Sequence, residues 1–213
     1  KQLIVEIKQL YNKFLSCKQK ISTDTRKIEE GSLFFALKGA NFNGNTFAQK
    51  AMELGAAYSI VDEAEYVSSE NCILVDDVLL TLQKLANYHR NQFSIPVIGI
   101  TGSNGKTTSK ELIGAVLSTQ FDVLVTEGNL NNHIGVPLTL LQLTSKHQFA
   151  IVELGANKGG DIEELCLIAE PDFGLITNIG KEHLEGFGDI EGVAKAESEL
   201  YDYLLKNNGH SFV

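Results

Sequence analysis

Apolar positions recur along this chain in two alternating rhythms. Leu3, Ile4, Ile7, Leu10, Tyr11, Phe14 and Leu15 share one face of a 3.6-residue period and predict an amphipathic first helix. Leu33-Phe34-Phe35-Ala36-Leu37 predicts a compact strand ending at Lys38-Gly39, preceded by the polar, turn-like Ser22-Thr23-Asp24-Thr25-Arg26. Thr46 to Leu54 predicts a helix closed by Gly55, because glycine takes the left-handed backbone that ends helices without a Cβ penalty. Short strands are expected at 58–61 and 72–75, and Val78, Leu82, Leu85, Ala86 and His89 mark a further helix. Pro96 disfavours helical backbone in the residue before it. The helix, and a first domain over residues 1–92, therefore end ahead of it.

From residue 93 onward the alternation is regular. Strands are predicted at 97–100, 121–125, 149–154, 173–179 and 211–213, and helices at 106–118, 136–143, 161–169 and 190–207. Near-continuous apolar strands separated by helices indicate a parallel sheet covered on both faces. The fold class is α/β: a small N-terminal α/β domain and a second domain, 93–213, with a mostly parallel sheet. His210-Ser211-Phe212-Val213 reads as a strand cut off soon after it begins, so the second domain is expected to be truncated.

Chemistry concentrates after the strand Val97–Ile100. Thr101-Gly102-Ser103-Asn104-Gly105-Lys106-Thr107-Thr108 places glycines where backbone N–H groups can converge on a phosphate, at the start of a helix that adds its own unpaired donors. Lys106 would reach the terminal phosphates and the Thr107 hydroxyl suits a magnesium ion. Isoleucine at position 100 makes this the short Gly-x-x-Gly-Lys-Thr-Thr form of a phosphate loop. Ligands of parallel sheets sit at the carboxyl ends of strands. Three further groups end predicted strands on that rim: Glu153, Asn178, and His183 just beyond it. An oxygen ligand such as Glu153 suits magnesium. The polar loop Gly128-Asn129-Leu130-Asn131-Asn132 can hydrogen-bond a substrate or cap its own backbone. On the last helix Glu197 falls in the apolar stripe with Ile190, Val193, Ala194, Tyr201, Leu204 and Leu205, whereas Lys195 lies on the polar side. An inward carboxylate needs a metal, a cation or hydrogen bonds.

Composition narrows the partners. A net charge of −9 and a pI near 5.0 leave no basic footprint for nucleic acid, so an anion must be met by local lysines, helix ends and metal. No apolar run approaches the ~20 residues that span a bilayer. Cys17, Cys72 and Cys166 are odd in number and far apart, which indicates neither a disulfide framework nor a zinc cluster and fits a reducing, cytoplasmic setting.

Taken together, these motifs resemble the Mur ligase family of ATP-dependent amide-forming enzymes. Thr101 to Thr108 resembles its ATP loop, and Val152-Glu153-Leu154-Gly155-Ala156-Asn157 and His183-Leu184-Glu185-Gly186-Phe187-Gly188 resemble its metal motifs. Gly128 to Asn132 with Ile134-Gly135-Val136-Pro137 is similar to the branch that adds D-alanyl-D-alanine to UDP-N-acetylmuramoyl-tripeptide. The first domain resembles the UDP-binding domain of that branch and of its diaminopimelate- or lysine-adding relative, through Ser22 to Arg26 and Gly31-Ser32-Leu33-Phe34-Phe35-Ala36-Leu37-Lys38-Gly39.

The resemblance implies a monomeric cytoplasmic enzyme of peptidoglycan precursor synthesis that uses ATP and Mg2+ and works through an acyl phosphate. ATP would lie on Gly102, Ser103, Asn104, Gly105, Lys106, Thr107, Thr108 and Asn178. Thr107 and Glu153 would hold one magnesium ion, and His183 with Glu197 another. Lys106, Glu153, His183 and Glu197 would serve catalysis. Thr25, Arg26 and Lys38 would approach the uridine diphosphate, and Asn129, Asn131 and Asn132 the rest of the substrate. Two positions depart from the family pattern. Asn43-Gly44-Asn45 stands where Asp-Gly-His is common, and Glu197 stands where a carbamylated lysine commonly holds the second magnesium. Members also carry a third domain and are roughly twice this length. This chain alone is thus expected to bind nucleotide without ligating. The neighbouring ligase that adds the third amino acid, folylpolyglutamate synthase and a non-catalytic UDP-sugar-binding protein remain the alternatives.

Overall fold

The computed structural model describes residues 6–180 and 184–213. Two parallel sheets carry the chain, one in each of two units that divide between Tyr88 and His89. The first unit contains α1 (Ile7–Ser16), β1 (Ile21–Ser22), β2 (Leu33–Phe35), β3 (Lys38–Gly39), β4 (Phe42–Asn43), α2 (Ala48–Glu53), β5 (Tyr58–Val61) and β6 (Cys72–Leu74), followed by most of α3 (Val78–Arg90). Leu3 and Ile4, expected on the first helix, lie outside the described residues.

Strands β1-β2-β5-β6 pair in parallel in that order, while β3 and β4 form a small antiparallel hairpin. Phe34, Ala36, Ala48, Ala51, Ala56 and Val61 make a buried cluster in this unit. Helix α2 stops as expected at Gly55, whose φ is +107°. The Gly55 N–H bonds the Met52 carbonyl and the Ala56 N–H that of Ala51, which satisfies the orphan carbonyls of the last turn.

The second unit begins inside α3. His89 is fully buried with its Nε2 2.9 Å from the Leu143 carbonyl, and burial lowers its pKa below the ordinary value. Arg90 donates to the Ala169 and Glu170 carbonyls and to Asp172, where positive charge also complements a helix C-terminus. The last turn of this helix therefore packs with the residues that follow it, ahead of the proline-marked end at 92.

Beyond α3 come β7 (Val97–Thr101), α4 (Lys106–Leu117), β8 (Val123–Val125), α5 (Gly135–Leu140), β9 (Phe149–Glu153), α6 (Asp161–Ala169), β10 (Phe173–Ile176), α7 (Leu184–Phe187), α8 (Ile190–Lys206) and β11 (His210–Phe212). All pairings in the order β11-β10-β7-β9-β8 are parallel. Ile98, Ile100 and Ile151 form a buried cluster to which Ile113, Leu117, Val123, Val125, Phe173 and Leu175 add.

On the opposite face two glycines set the depth of α8. Gly99 and Gly174 are register partners on β7 and β10. A Cβ at Gly99 would stand 3.2 Å from Leu200 Cδ1, and one at Gly174 would stand 2.5 Å from Leu204 Cδ1. The pair leaves a trough in the sheet that Leu200 and Leu204 fill. Glu197, one turn before Leu200, then comes level with the carboxyl end of β7. Val193, Ala196, Leu200 and Leu204 form the buried face of α8, while Ile190 and Leu205 point outward, unlike the stripe expected from sequence.

Among the described residues no helix is long and apolar enough to cross a membrane.

Candidate phosphate and metal site

Register brings the site together. Ile100 pairs with Glu153 and Thr101 with Ile176, so the loop after β7, the end of β9 and the segment after β10 share one rim. Gly102 has φ +121° and Gly105 has φ +81°, values that an L side chain rarely adopts. A Cβ at Gly105 would meet nothing within 4 Å, so the loop is open there. Helix α4 starts immediately afterwards, and the first-turn N–H groups of Thr107 and Thr108 have no carbonyl one turn back within it. Both residues are exposed. Lys106 is half-buried and lays its Nζ over the loop, donating to the Gly102 and Ser103 carbonyls. Exposed first-turn donors, an open glycine and a lysine overhead make a cradle for an anion.

The segment after β10 fastens this loop. Ser103 N–H donates to the Asn178 carbonyl at 2.9 Å and Asn104 N–H to Asn178 Oδ1 at 3.1 Å. Asn178 Nδ2 and Thr177 Oγ1 both donate to the Asn104 carbonyl, at 2.8 and 2.7 Å. Gly180 N–H completes the seam on Ser103 Oγ at 2.8 Å. Asn178 thus grips the backbone of the loop through both ends of its amide.

Glu197 points inward, as its periodicity requires, and is 1% exposed. Its Oε2 accepts from Thr101 Oγ1 at 2.5 Å and from Gly102 N–H at 2.8 Å. These bonds anchor the entrance of the loop through Oε2. Two residues on, Glu199 accepts from Gly160 N–H at 2.7 Å and Glu163 N–H at 3.0 Å, capping α6 from outside. Helix α8 therefore holds both loops of the rim by carboxylates.

Glu153 is 1% exposed at the end of β9. Asn131 Nδ2 donates to its Oε1 at 2.8 Å, whereas its Oε2 is buried without a hydrogen-bond partner among the described residues. The nearest cation is Lys110, fully buried on α4, with Nζ 3.4 Å from Oε2. A buried carboxylate oxygen with unused lone pairs fits a hard divalent cation, and the Thr107 hydroxyl stands in the first turn of the neighbouring helix. The residues present therefore fit a magnesium ion. Among the described residues no cluster of three His, Cys, Asp or Glu side chains forms a metal site by itself. His183 lies outside the described residues.

The polar loop before α5 serves two ends. Asn131 joins Glu153, and its carbonyl accepts from Gly155 N–H at 2.7 Å. Asn132 Oδ1 instead accepts from Ile134 and Gly135 N–H, so this side chain, expected at the substrate, caps the start of α5. Asn129 is exposed at the loop's tip.

In the first unit, Arg26 makes a bidentate pair with Asp24, whose carboxyl falls to about 2 chiefly through that hydrogen bond. Thr25 opens the same short turn. Lys38 lies 2.8 Å from both Asp62 and Glu63, and these bonds raise its pKa. Burial works to raise the Asp62 carboxyl, but the bonds from Lys38, Asn45 and the Val78 N–H outweigh it and hold it low. Asn43 and Asn45 belong to this network through Glu63 and Asp62.

Comparison with known proteins bears on this geometry. The Mur ligase middle domain matches residues 100–213, and the Mur ligase catalytic domain family matches residues 19–99. The chain belongs to the Mur ligase family. Its similarity to UDP-N-acetylmuramoyl-tripeptide–D-alanyl-D-alanine ligase of Bacillus subtilis is 45% identity, over 88% of this chain and 41% of that protein. For the ligase of the same name from Escherichia coli the figures are 42%, 88% and 41%. The structure of MurF from Acinetobacter baumannii superposes with a TM-score of 0.84 at 41% identity, over 90% of this chain and 42% of that one. MurF ligase from Thermotoga maritima, solved in complex with ADP, gives 0.81 at 35%, over 88% and 44%. This Mur ligase chain thus spans about two fifths of the length of the relatives it matches.

Lys110 was missed in the sequence. The available signal was its position four residues after Lys106, which returns it to the same side of α4. Glu199 carried no signal, because capping a distant helix leaves no local pattern.

Proposed function

We propose that this chain supplies the nucleotide-binding portion of a ligase that joins D-alanyl-D-alanine to UDP-N-acetylmuramoyl-tripeptide, with ATP and Mg2+, in the cytoplasmic assembly of peptidoglycan precursors. Bound ATP with Mg2+ supplies the phosphoryl group that activates the tripeptide carboxylate. The chain's part is charge neutralisation and alignment, since no protein nucleophile is required. Backbone N–H groups from Gly105 to Thr108 receive phosphate oxygens. Lys106 swings from its own loop carbonyls to the β/γ-phosphates. Thr107 and Glu153 would hold the magnesium ion, with His183 a further candidate, and Asn131 orients the Glu153 carboxylate. Glu197 and Asn178 hold the loop in shape.

The first unit receives the uridine diphosphate near Thr25, Arg26 and Lys38. The diphosphate has to take the guanidinium from Asp24 and the ammonium from Asp62 and Glu63. The protein acts as a monomer.

The observation that carries this reading is Glu153 Oε2: a buried carboxylate oxygen with no hydrogen bond among the described residues, on the same sheet rim as the glycine loop. The test is calorimetric titration with a non-hydrolysable ATP analogue, with and without Mg2+, beside Lys106→Ala. Magnesium-enhanced binding that disappears in the variant is expected. Equal binding by Lys106→Ala would overturn the phosphate site. For the ligase as a whole, a longer chain carrying these residues should form the pentapeptide precursor with D-alanyl-D-alanine and not extend a dipeptide precursor with a single diamino acid.

A further inference from the structure

Lys110 is a lysine with no exposed surface, placed one turn beyond the lysine of the phosphate loop. A buried ammonium is costly unless opposite charge and hydrogen bonds surround it. Its Nζ donates to the Gly128 carbonyl at 3.2 Å and lies 3.3 Å from Glu111 Oε1 and 3.4 Å from Glu153 Oε2. Glu111 is largely exposed, so water screens its charge. Glu153 is the carboxylate that shares the interior with Lys110. The ammonium compensates the charge on Oε2 while leaving that oxygen without a hydrogen bond, available to a second electrophile.

We infer that Lys110 is a positioning residue: it is the resident counter-cation of Glu153 and makes divalent-cation binding there conditional on the phosphates of the nucleotide. The inference rests on the reading of Glu153 as the metal carboxylate. A divalent ion on Oε2 sits beside a fixed positive charge, and such repulsion is strong where water is excluded. Phosphate oxygens on the neighbouring loop offset it, so ion and nucleotide enter together. Through the Gly128 carbonyl the same ammonium ties down the loop that carries Asn131. One side chain thereby sets both the charge and the orientation of Glu153.

Mn2+ is the probe, followed by the EPR signal of the free ion and, in parallel, by calorimetry with a non-hydrolysable ATP analogue. Thermal melts check folding. The wild-type chain should show no Glu153-dependent Mn2+ binding in the absence of the analogue. Lys110→Met should tighten Mn2+ binding by about tenfold or more, a typical size for coupling between sites. The gain should vanish in the Lys110→Met/Glu153→Gln double variant, and Lys110→Arg should behave as wild type. A Lys110→Met chain without that gain overturns the inference. So does wild-type protein that already binds Mn2+ alone in a Glu153-dependent way, a result that needs no variant at position 110. If Mn2+ enhancement of analogue binding survives Glu153→Gln, the metal reading itself fails and the inference with it. If that enhancement is lost but Lys110→Met gains nothing, only the role of Lys110 is rejected.

Discussion

The two units use the same architecture and treat charge in opposite ways. In the first, Arg26 and Lys38 reach the surface and are neutralised there by Asp24, Asp62 and Glu63. In the second, several charged groups are nearly inaccessible: Lys110, Glu153 and Glu197 are each 1% exposed or less. Exposed pairs exchange partners readily and contribute little. Buried ones fix geometry, because an uncompensated charge left inside the protein is expensive. The first unit's ion pairs are thus the more readily exchanged, and the second unit keeps a preformed rim.

Substitution of glycines should separate the units most widely. A Cβ on Gly102 would stand 2.3 Å from Thr177 Oγ1 and 2.9 Å from the Asn178 carbonyl, at a backbone angle unsuited to alanine. Gly102→Ala should weaken ATP-analogue binding by about 100-fold or more, the scale set by losing preorganised donors. Gly39→Ala in the first unit meets only Phe42 Cβ at 3.9 Å and should leave that affinity unchanged. Calorimetry on both proteins checks the contrast.

Comparable in size is the effect of Glu197→Ala. It leaves the Thr101 hydroxyl and the Gly102 N–H without their buried acceptor, at about 3 kcal/mol for hydrogen bonds to a charged group. Urea denaturation should show the loss in the second unit. Smaller again is a response to pH. His89 is held neutral by burial, so its folded pKa lies below that of the unfolded chain. Its contribution is fully present above the unfolded value of about 6.5 and is lost as pH falls from there through the folded value. The second unit should therefore melt earlier at pH 5.5 than at pH 7.5, and His89→Gln should flatten the difference. Asp24 in the first unit is also depressed, to about 2, so its contribution persists across that range and fades only in strong acid. Smallest of all is Arg26→Ala, which should leave the denaturation midpoint where it is.

What the sequence disclosed follows the same division. Gly102, Gly105 and Lys106 are tied to a strand before and a helix after, so their geometry is local and was legible. Glu153 was legible as the last residue of an apolar run. That Asn131 touches Glu153 was not legible, since nothing near residue 131 announces a partner at 153, and the resemblance placed this side chain at the substrate. Period alone put Glu197 inward but misassigned Ile190 and Leu205. The buried face of α8 is chosen by the trough at Gly99 and Gly174, two residues far away in sequence. Strands β1, β3 and β4 span two residues each, too few to show an alternation. Nothing near Lys38 announced its carboxylates, which sit at 62 and 63.

The two register-paired glycines have a consequence beyond packing. They make the floor of the sheet a height adjustment for the rim. A methyl group at Gly174 would press on Leu204 and Leu200, and one at Gly99 on Leu200, Leu154 and Pro171, and any shift this gives α8 reaches the carboxylates that hold Thr101, Gly102 and Gly160. Alanine at Gly99 or Gly174 would perturb the glycine loop from below. Graded side-chain volume at these two positions offers a mechanical dial on the loop that leaves every ligand-facing atom in the sequence unchanged.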